Sequence, residues 1–410
     1  VLDDNISMRT MDNQQEQARK MHERDNQQEQ GRKMHNRHIQ QEQAGQMFER
    51  DNHQGQARKL HERDNHQEQH KQIMQTAKGA KYLGMCNWQE LAQKSLAGEL
   101  LSVEEGLKVL DCEDTELLPL LHAAFLVRNH FYGKKVKLNM IINAKSGLCP
   151  EDCGYCSQSI VSNAPVSKYA LLDKDTLLAG AREALARKAG TYCIVASGKG
   201  PSERELEGVI DAVKEIRATM PLKICACLGI LKEGQAERLA EAGVHRYNHN
   251  LNTSKNNYSS ITTTHTYDQR VQTVEAAKAG GMSPCSGVII GLGEDERDIV
   301  EMAYALRRLD ADSIPVNFLH AIPGTPLEGR ERTPAIKALK VLALLRFICP
   351  SKEIRVAGGR ELSLRHLQPL ALYAANSIFV GDYLTTSGQD ITMDHEMIRD
   401  LGFEIEEFCV

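Results

Sequence analysis

Three cysteines, Cys149, Cys153 and Cys156, stand in the stretch GLCPEDCGYCSQS with the spacing C-x3-C-x2-C. Three thiolates are one fewer than the four that close a structural zinc site or a ferredoxin-type cluster. Gly147, Pro150 and Gly154 suit a tight loop folded around an ion or a cluster. A zinc site needs a fourth ligand, and no other C-x2-C pair is present to supply it. A disulfide would strand one thiol. The third reading is a [4Fe–4S] cluster in which one iron is left open for a chelating ligand. S-adenosylmethionine offers an amino and a carboxylate group for that position. One electron then cleaves its sulfonium to methionine and a 5′-deoxyadenosyl radical.

Other residues carry weaker signals. Cys193, Cys225 and Cys285 fall on three separate apolar runs. Each alone reads as a small buried hydrophobe; together they could converge as a second metal site. Cys227 shares a strand face with Cys225, and spacing does not say which of the two would be a ligand. Asn248, Asn250 and Asn252 alternate along RYNHNLNT, so they share a face, with His249 and Leu251 on the other. Buried carboxamides are costly unless hydrogen-bonded. They either bond one another or meet a neutral polar ligand such as an amide, a urea or ribose hydroxyls. Asn317 is a weaker case of the same kind. Arg355 reads as an anion clamp or an ion-pair partner. Thr385 and Thr386 read as a carboxylate site or as ordinary turn residues. Cys86, Cys112, Cys349 and Cys409 read as structural.

The elements that must position these residues repeat regularly. Apolar runs at 137–144, 191–197, 223–229, 245–253, 285–293, 313–322, 353–359 and 376–384 predict eight strands. Amphipathic stretches such as 173–189, 202–219, 294–309 and 335–347 fill the gaps, and 87–132 predicts further helices. Alternating strands and helices of this number predict an α/β fold, a (β/α)8 TIM-type barrel, with an open doubly wound sheet as the alternative. In a barrel the active-site residues lie at the C-terminal ends of the strands, which is where the cysteine triplet falls.

The rest of the 410 residues bounds the function class. Net charge is −5, which implies no general affinity for nucleic acid or anionic membranes. No stretch is long and apolar enough to read as a membrane span, and no apolar signal segment opens the chain. Eleven cysteines without such a signal point to a reducing, cytoplasmic setting. Residues 12–76 are five copies of a 13-residue repeat, from DNQQEQARKMHER to DNHQEQHKQIMQT. The apolar residue in each copy turns about 220° from the last, so no helical face forms. Residues 1–84 therefore read as a disordered or non-native tail and 85–410 as the catalytic domain, with Met85 expected as the natural start. His22, His35 and His61 recur at one repeat position and could bind metal weakly.

The motifs carry a resemblance. The triplet with Tyr155 before its last cysteine, and GVIIGLGE at 287–294, are similar to the signature of the radical S-adenosylmethionine superfamily. That likeness implies that Gly287, Ile289, Gly291 and Glu294 hold the adenosine. The segments KLNMIINAKSGLCPEDCGYCSQS, TYCIVASG, KICACLG, RYNHNLNTS, PCSGVIIGLGE, PVNFLHAIPGTPLEG, IRVAGGRE and AANSIFVGDYLTT together resemble the biotin synthase family, most closely the Bacillus-type enzymes, over about residues 86–405. The resemblance implies a homodimeric barrel enzyme that inserts sulfur into dethiobiotin, the last step of biotin biosynthesis, with a flavodoxin- or ferredoxin-like electron donor. It implies that Cys149, Cys153 and Cys156 hold the [4Fe–4S] cluster. It also implies that Cys193, Cys225, Cys285 and Arg355 hold a [2Fe–2S] cluster, leaving Cys227 as packing. Tyr155, Asn250, Asn252 and Asn317 are then cofactor contacts, and Asn248, Asn250, Thr385 and Thr386 substrate contacts. Asn250 and Asn252 would lie between the two ligands, at the reacting centre. Some relatives carry aspartate at the position of Asn252. The repeat tail has no counterpart in the family. Two rivals remain: a radical enzyme acting on another small molecule, and a non-enzymatic module stabilised by zinc.

Overall fold

The chain folds as alternating strands and helices that close on themselves. The computed structural model describes residues 87–407; the repeats, Met85, Cys86 and Cys409 lie outside the described residues. Three helices come first, α1 (Trp88–Leu96), α2 (Val103–Asp111) and α3 (Leu117–Tyr132). Ser102 starts α2 with a capping box: its hydroxyl accepts from Glu105 N while the Glu105 side chain accepts from Ser102 N.

The barrel follows in the order β1 (Lys135–Lys145), α4 (Lys174–Ala186), β2 (Thr191–Ala196), α5 (Glu203–Thr219), β3 (Lys223–Cys227), α6 (Gln235–Glu241), β4 (Arg246–Asn248) and α7 (Tyr267–Ala279). It continues with β5 (Ser283–Cys285), β6 (Val288–Ile290), α8 (Glu296–Arg308), β7 (Ser313–Phe318), α9 (Ala335–Ile348) and β8 (Glu353–Val356). Short helices α10 (Arg360–Leu364) and α11 (Gln368–Ala371), then β9 (Ser377–Phe379), α12 (Ile391–Asp400) and β10 (Glu404–Ile405) complete it. Every pairing is parallel, and β1 pairs with both β2 and β9. That second pairing closes the barrel and removes the open-sheet alternative. Counting β5 and β6 as one interrupted stave, the eight expected strands are all present.

The interruption has a local cause. At Gly287 a Cβ would sit 1.9 Å from the Pro315 carbonyl oxygen, so the backbone of this stave leans onto β7 where a side chain has no room. The helices form for ordinary reasons. In α5 the residues Leu206, Val209, Ile210, Val213 and Ile216 recur at helical spacing and are buried, and Ser202 caps the start. Helix α9 is buried almost all round because the N-terminal helices pack over its outer side. Its buried Arg346 is satisfied by the carbonyls of Ala374, Pro350 and Lys352 and by Asn376. The small strand β10, unanticipated in the sequence, pairs with the start of β1. Among the described residues no helix is long and apolar enough to cross a membrane.

Candidate active site

The C-terminal ends of the strands surround a cavity of about 380 Å³. The loop after β1 brings Cys149, Cys153 and Cys156 to its wall together with Tyr155. Burial pushes the Cys156 thiol up to about 11 and raises those of Cys149 and Cys153. Long-range bonds fix this loop. Asp152 accepts from the Thr262 hydroxyl at 2.7 Å, from Thr263 N at 2.9 Å and from Thr264 N at 3.2 Å. Burial opposes ionisation of Asp152, but these donors outweigh it and hold the carboxyl below the usual range. Gln158 accepts from Gly147 N at 2.8 Å, and Ser157 meets the Thr385 hydroxyl at 2.8 Å.

The asparagines gather as expected, but not by strand periodicity alone. β4 ends at Asn248, so Asn250 and Asn252 reach the cavity from the segment beyond it. Asn248 donates to Asn250 Oδ1 at 3.0 Å. Asn252 has a positive φ of 69°, a conformation asparagine tolerates better than most residues, and donates to the Tyr155 hydroxyl at 2.7 Å. Strand alternation would place His249 on the opposite face. It also touches the cavity, because the extended alternation stops at Asn248. Its buried Nε2 has no partner among the described residues.

Of the GVIIGLGE segment, Ile289 lines the cavity, while Gly287, Gly291 and Glu294 are not among its lining residues. Gly291 turns the chain at φ +104°, and its N–H donates to Glu294 Oε1 at 2.6 Å. Asn317 lines the cavity and bridges two elements, donating to Val288 O at 3.1 Å and accepting from Gly358 N at 3.0 Å. Thr385 and Thr386 line it as well.

The second cysteine set converges. Cys193 and Cys225 are register partners on β2 and β3. The Cys225 thiol lies close enough to those of Cys193 and Cys285 to interact with them, and all three are buried. Cys227, on the same strand, lines the cavity instead. Asn248 Nδ2 lies 3.3 Å from Cys285 Sγ, so the buried set adjoins the cavity floor. Arg355 is buried beside the three thiols. Burial would lower its pKa, but the Glu353 carboxylate and the thiols hold it up. Among the described residues no three His, Cys, Asp or Glu side chains are grouped to hold a single metal ion. An iron–sulfur cluster is wider than one ion, and two all-thiol sets suit it in their donor chemistry.

Several residues of the wall carried no recognised signal. Glu151 meets His265 Nδ1 at 2.5 Å, and His265 Nε2 meets Arg270 Nη2 at 2.9 Å. Arg270 also donates to Tyr258 Oη at 2.6 Å and to Asn250 O at 3.0 Å. A guanidinium therefore lies on the wall that carries the cysteine triplet and the asparagines, where a carboxylate would be paired.

Known proteins resemble this chain in sequence and fold. Residues 145–306 match the Radical SAM superfamily model and residues 315–404 the Biotin and Thiamin Synthesis associated domain. Biotin synthase of Bacillus pumilus (strain SAFR-032) is 67% identical over 321 residues, covering 78% of this chain and 97% of the relative. Biotin synthase of Bacillus subtilis (strain 168) is 64% identical over 322 residues, covering 78% and 96%. Among solved structures, methylornithine synthase shares the fold with a TM-score of 0.69 at 20% identity, over 77% of this chain and 97% of that one. The FeFe-hydrogenase maturase of Carboxydothermus hydrogenoformans does so at 0.67 and 19%, over 79% and 80%. With its cysteine triplet at the mouth of a closed parallel barrel and near-complete coverage of such relatives, the chain belongs to the biotin synthase family of radical S-adenosylmethionine enzymes.

Proposed function

We propose that the chain converts dethiobiotin to biotin by inserting one sulfur between two carbons that carry unactivated C–H bonds. The observation that carries this reading is the pairing of two cysteine sets at different depths of one barrel, with a cavity lined by Asn248, Asn250 and Asn252 above the deeper set. When bound, a [4Fe–4S] cluster with S-adenosylmethionine supplies the hydrogen-abstracting radical, and a [2Fe–2S] cluster supplies the sulfur. Cys149, Cys153 and Cys156 hold the first; Cys193, Cys225, Cys285 and Arg355 hold the second.

The chain's own residues then have distinct tasks. Arg270 pairs the S-adenosylmethionine carboxylate, with its guanidinium already oriented by Tyr258 and His265. Tyr155 and Asn252, bonded to each other, orient the ribose, with Ile289 and Asn317 beside them. The segment that carries Gly287, Ile289, Gly291 and Glu294 holds the adenosine, with Ile289 on the cavity wall and Gly291 N–H donating to Glu294. Asn248 and Asn250 offer donors and acceptors to the uncharged ureido ring, and Thr385 and Thr386 take the substrate carboxylate. The barrel wall keeps water away from the reacting carbons. The working protein is a cytoplasmic homodimer reduced by a flavodoxin- or ferredoxin-like protein.

Iron analysis of anaerobically reconstituted protein tests the two-cluster reading. Parent protein takes up about six irons per chain, and Cys225→Ala about four, with S-adenosylmethionine cleavage retained and biotin formation lost. Parent protein with tightly bound zinc and no iron chromophore would support a non-enzymatic module instead.

A further inference from the structure

Arg355 is gripped from below by the floor of the barrel. Arg355 and Glu353 are two residues apart on β8, so both point to the same side of the strand, and they are 1% and 2% exposed. Glu353 Oε1 accepts from Arg355 Nη2 at 2.6 Å, from Ser313 Oγ at 3.2 Å and from Ser377 Oγ at 3.0 Å. Its Oε2 accepts from Arg246 Nη1 at 2.7 Å and lies 3.6 Å from Lys137 Nζ. Arg355 spends Nη2 also on Ser313 at 2.9 Å and Nε on Ser377 at 3.4 Å, and its guanidinium lies 4.9 Å from the Phe379 ring centre. The Nε–Nη2 edge and one face of the guanidinium are thus tied to protein groups.

Four charged side chains in a barrel floor are a poor way to gain stability, since desolvation offsets most of their attraction. Their arrangement fits another purpose. A guanidinium that must meet a cluster edge in one orientation needs its remaining donors engaged. A lone carboxylate below three thiolates would repel them, and Arg246 and Lys137 balance its charge.

We infer that Glu353, with Arg246 as its outer partner, is a positioning residue for the second metal site: it fixes the orientation in which Arg355 faces Cys193, Cys225 and Cys285. This rests on the two-cluster reading given above.

The test compares anaerobically reconstituted full-length parent and Glu353→Gln proteins by iron content, Mössbauer spectrum and the rate of iron loss to a chelator. Glu353→Gln keeps the first cluster and the parent's rate of S-adenosylmethionine cleavage, while the spectrum of the second cluster shifts and its iron is lost about ten-fold faster or more. Where Glu353→Gln does not accumulate as folded protein, Arg246→Gln carries the test, with loss about two-fold faster or more in the same direction. A variant whose second cluster matches the parent in spectrum and loss rate overturns the inference alone. A parent that takes up only about four irons overturns the two-cluster reading, and this inference with it.

Discussion

At the scale of single residues, the triplet was legible because its spacing is local. Cys149, Cys153 and Cys156 lie within eight positions, and the missing fourth ligand is itself the signal. What holds the triplet was not legible. Asp152 meets Thr262, Thr263 and Thr264, which are 110 to 112 positions away in sequence. Glu151 and His265 are 114 apart. Such partners become neighbours only when the loops after β1 and β4 meet over the barrel mouth. Glu353 did have a signal: it precedes Arg355 by two positions and so shares its face. Two predictions belong here. Cys153→Ala abolishes formation of 5′-deoxyadenosine in the presence of reductant, and a variant that still makes it contradicts the assignment of the triplet. Asp152→Ala, which frees the loop without removing a thiol, loses first-cluster iron to a chelator about ten-fold faster while second-cluster iron is unaffected.

At the scale of elements, the strands were placed within a few residues because alternating apolar runs and helical periodicities are strong signals. The exceptions are informative. The expected run 245–253 is a strand only over Arg246–Asn248, since the chain turns at Asn252 with positive φ to carry its amide to Tyr155. The run 285–293 breaks at Gly287, where contact with Pro315 leaves no room for a side chain. Packing alone therefore requires a glycine at 287. Gly287→Ala forces this stave away from β7 and costs about 3 kcal/mol, read as a Tm several degrees lower in the metal-free protein. An unchanged Tm would show that the stave tolerates the methyl group.

At the scale of the whole molecule, closure of the barrel turns scattered residues into one site. Cys193, Cys225 and Cys285 come from three strands and Arg355 from a fourth; only a closed sheet brings their side chains together beneath the cavity. The number of strands suggested closure, and the β1–β9 pairing establishes it. Which of Cys225 and Cys227 adjoins the other strand cysteines, by contrast, had no sequence signature, because the two share one strand face. The most direct measurement is an anaerobic incubation of reconstituted protein, with both clusters loaded, with dethiobiotin, S-adenosylmethionine and a strong reductant, read by mass spectrometry. Biotin and 5′-deoxyadenosine are both expected, with about two deoxyadenosines per biotin because two hydrogens must leave. 5′-Deoxyadenosine without biotin from fully loaded protein would contradict the conversion of dethiobiotin to biotin.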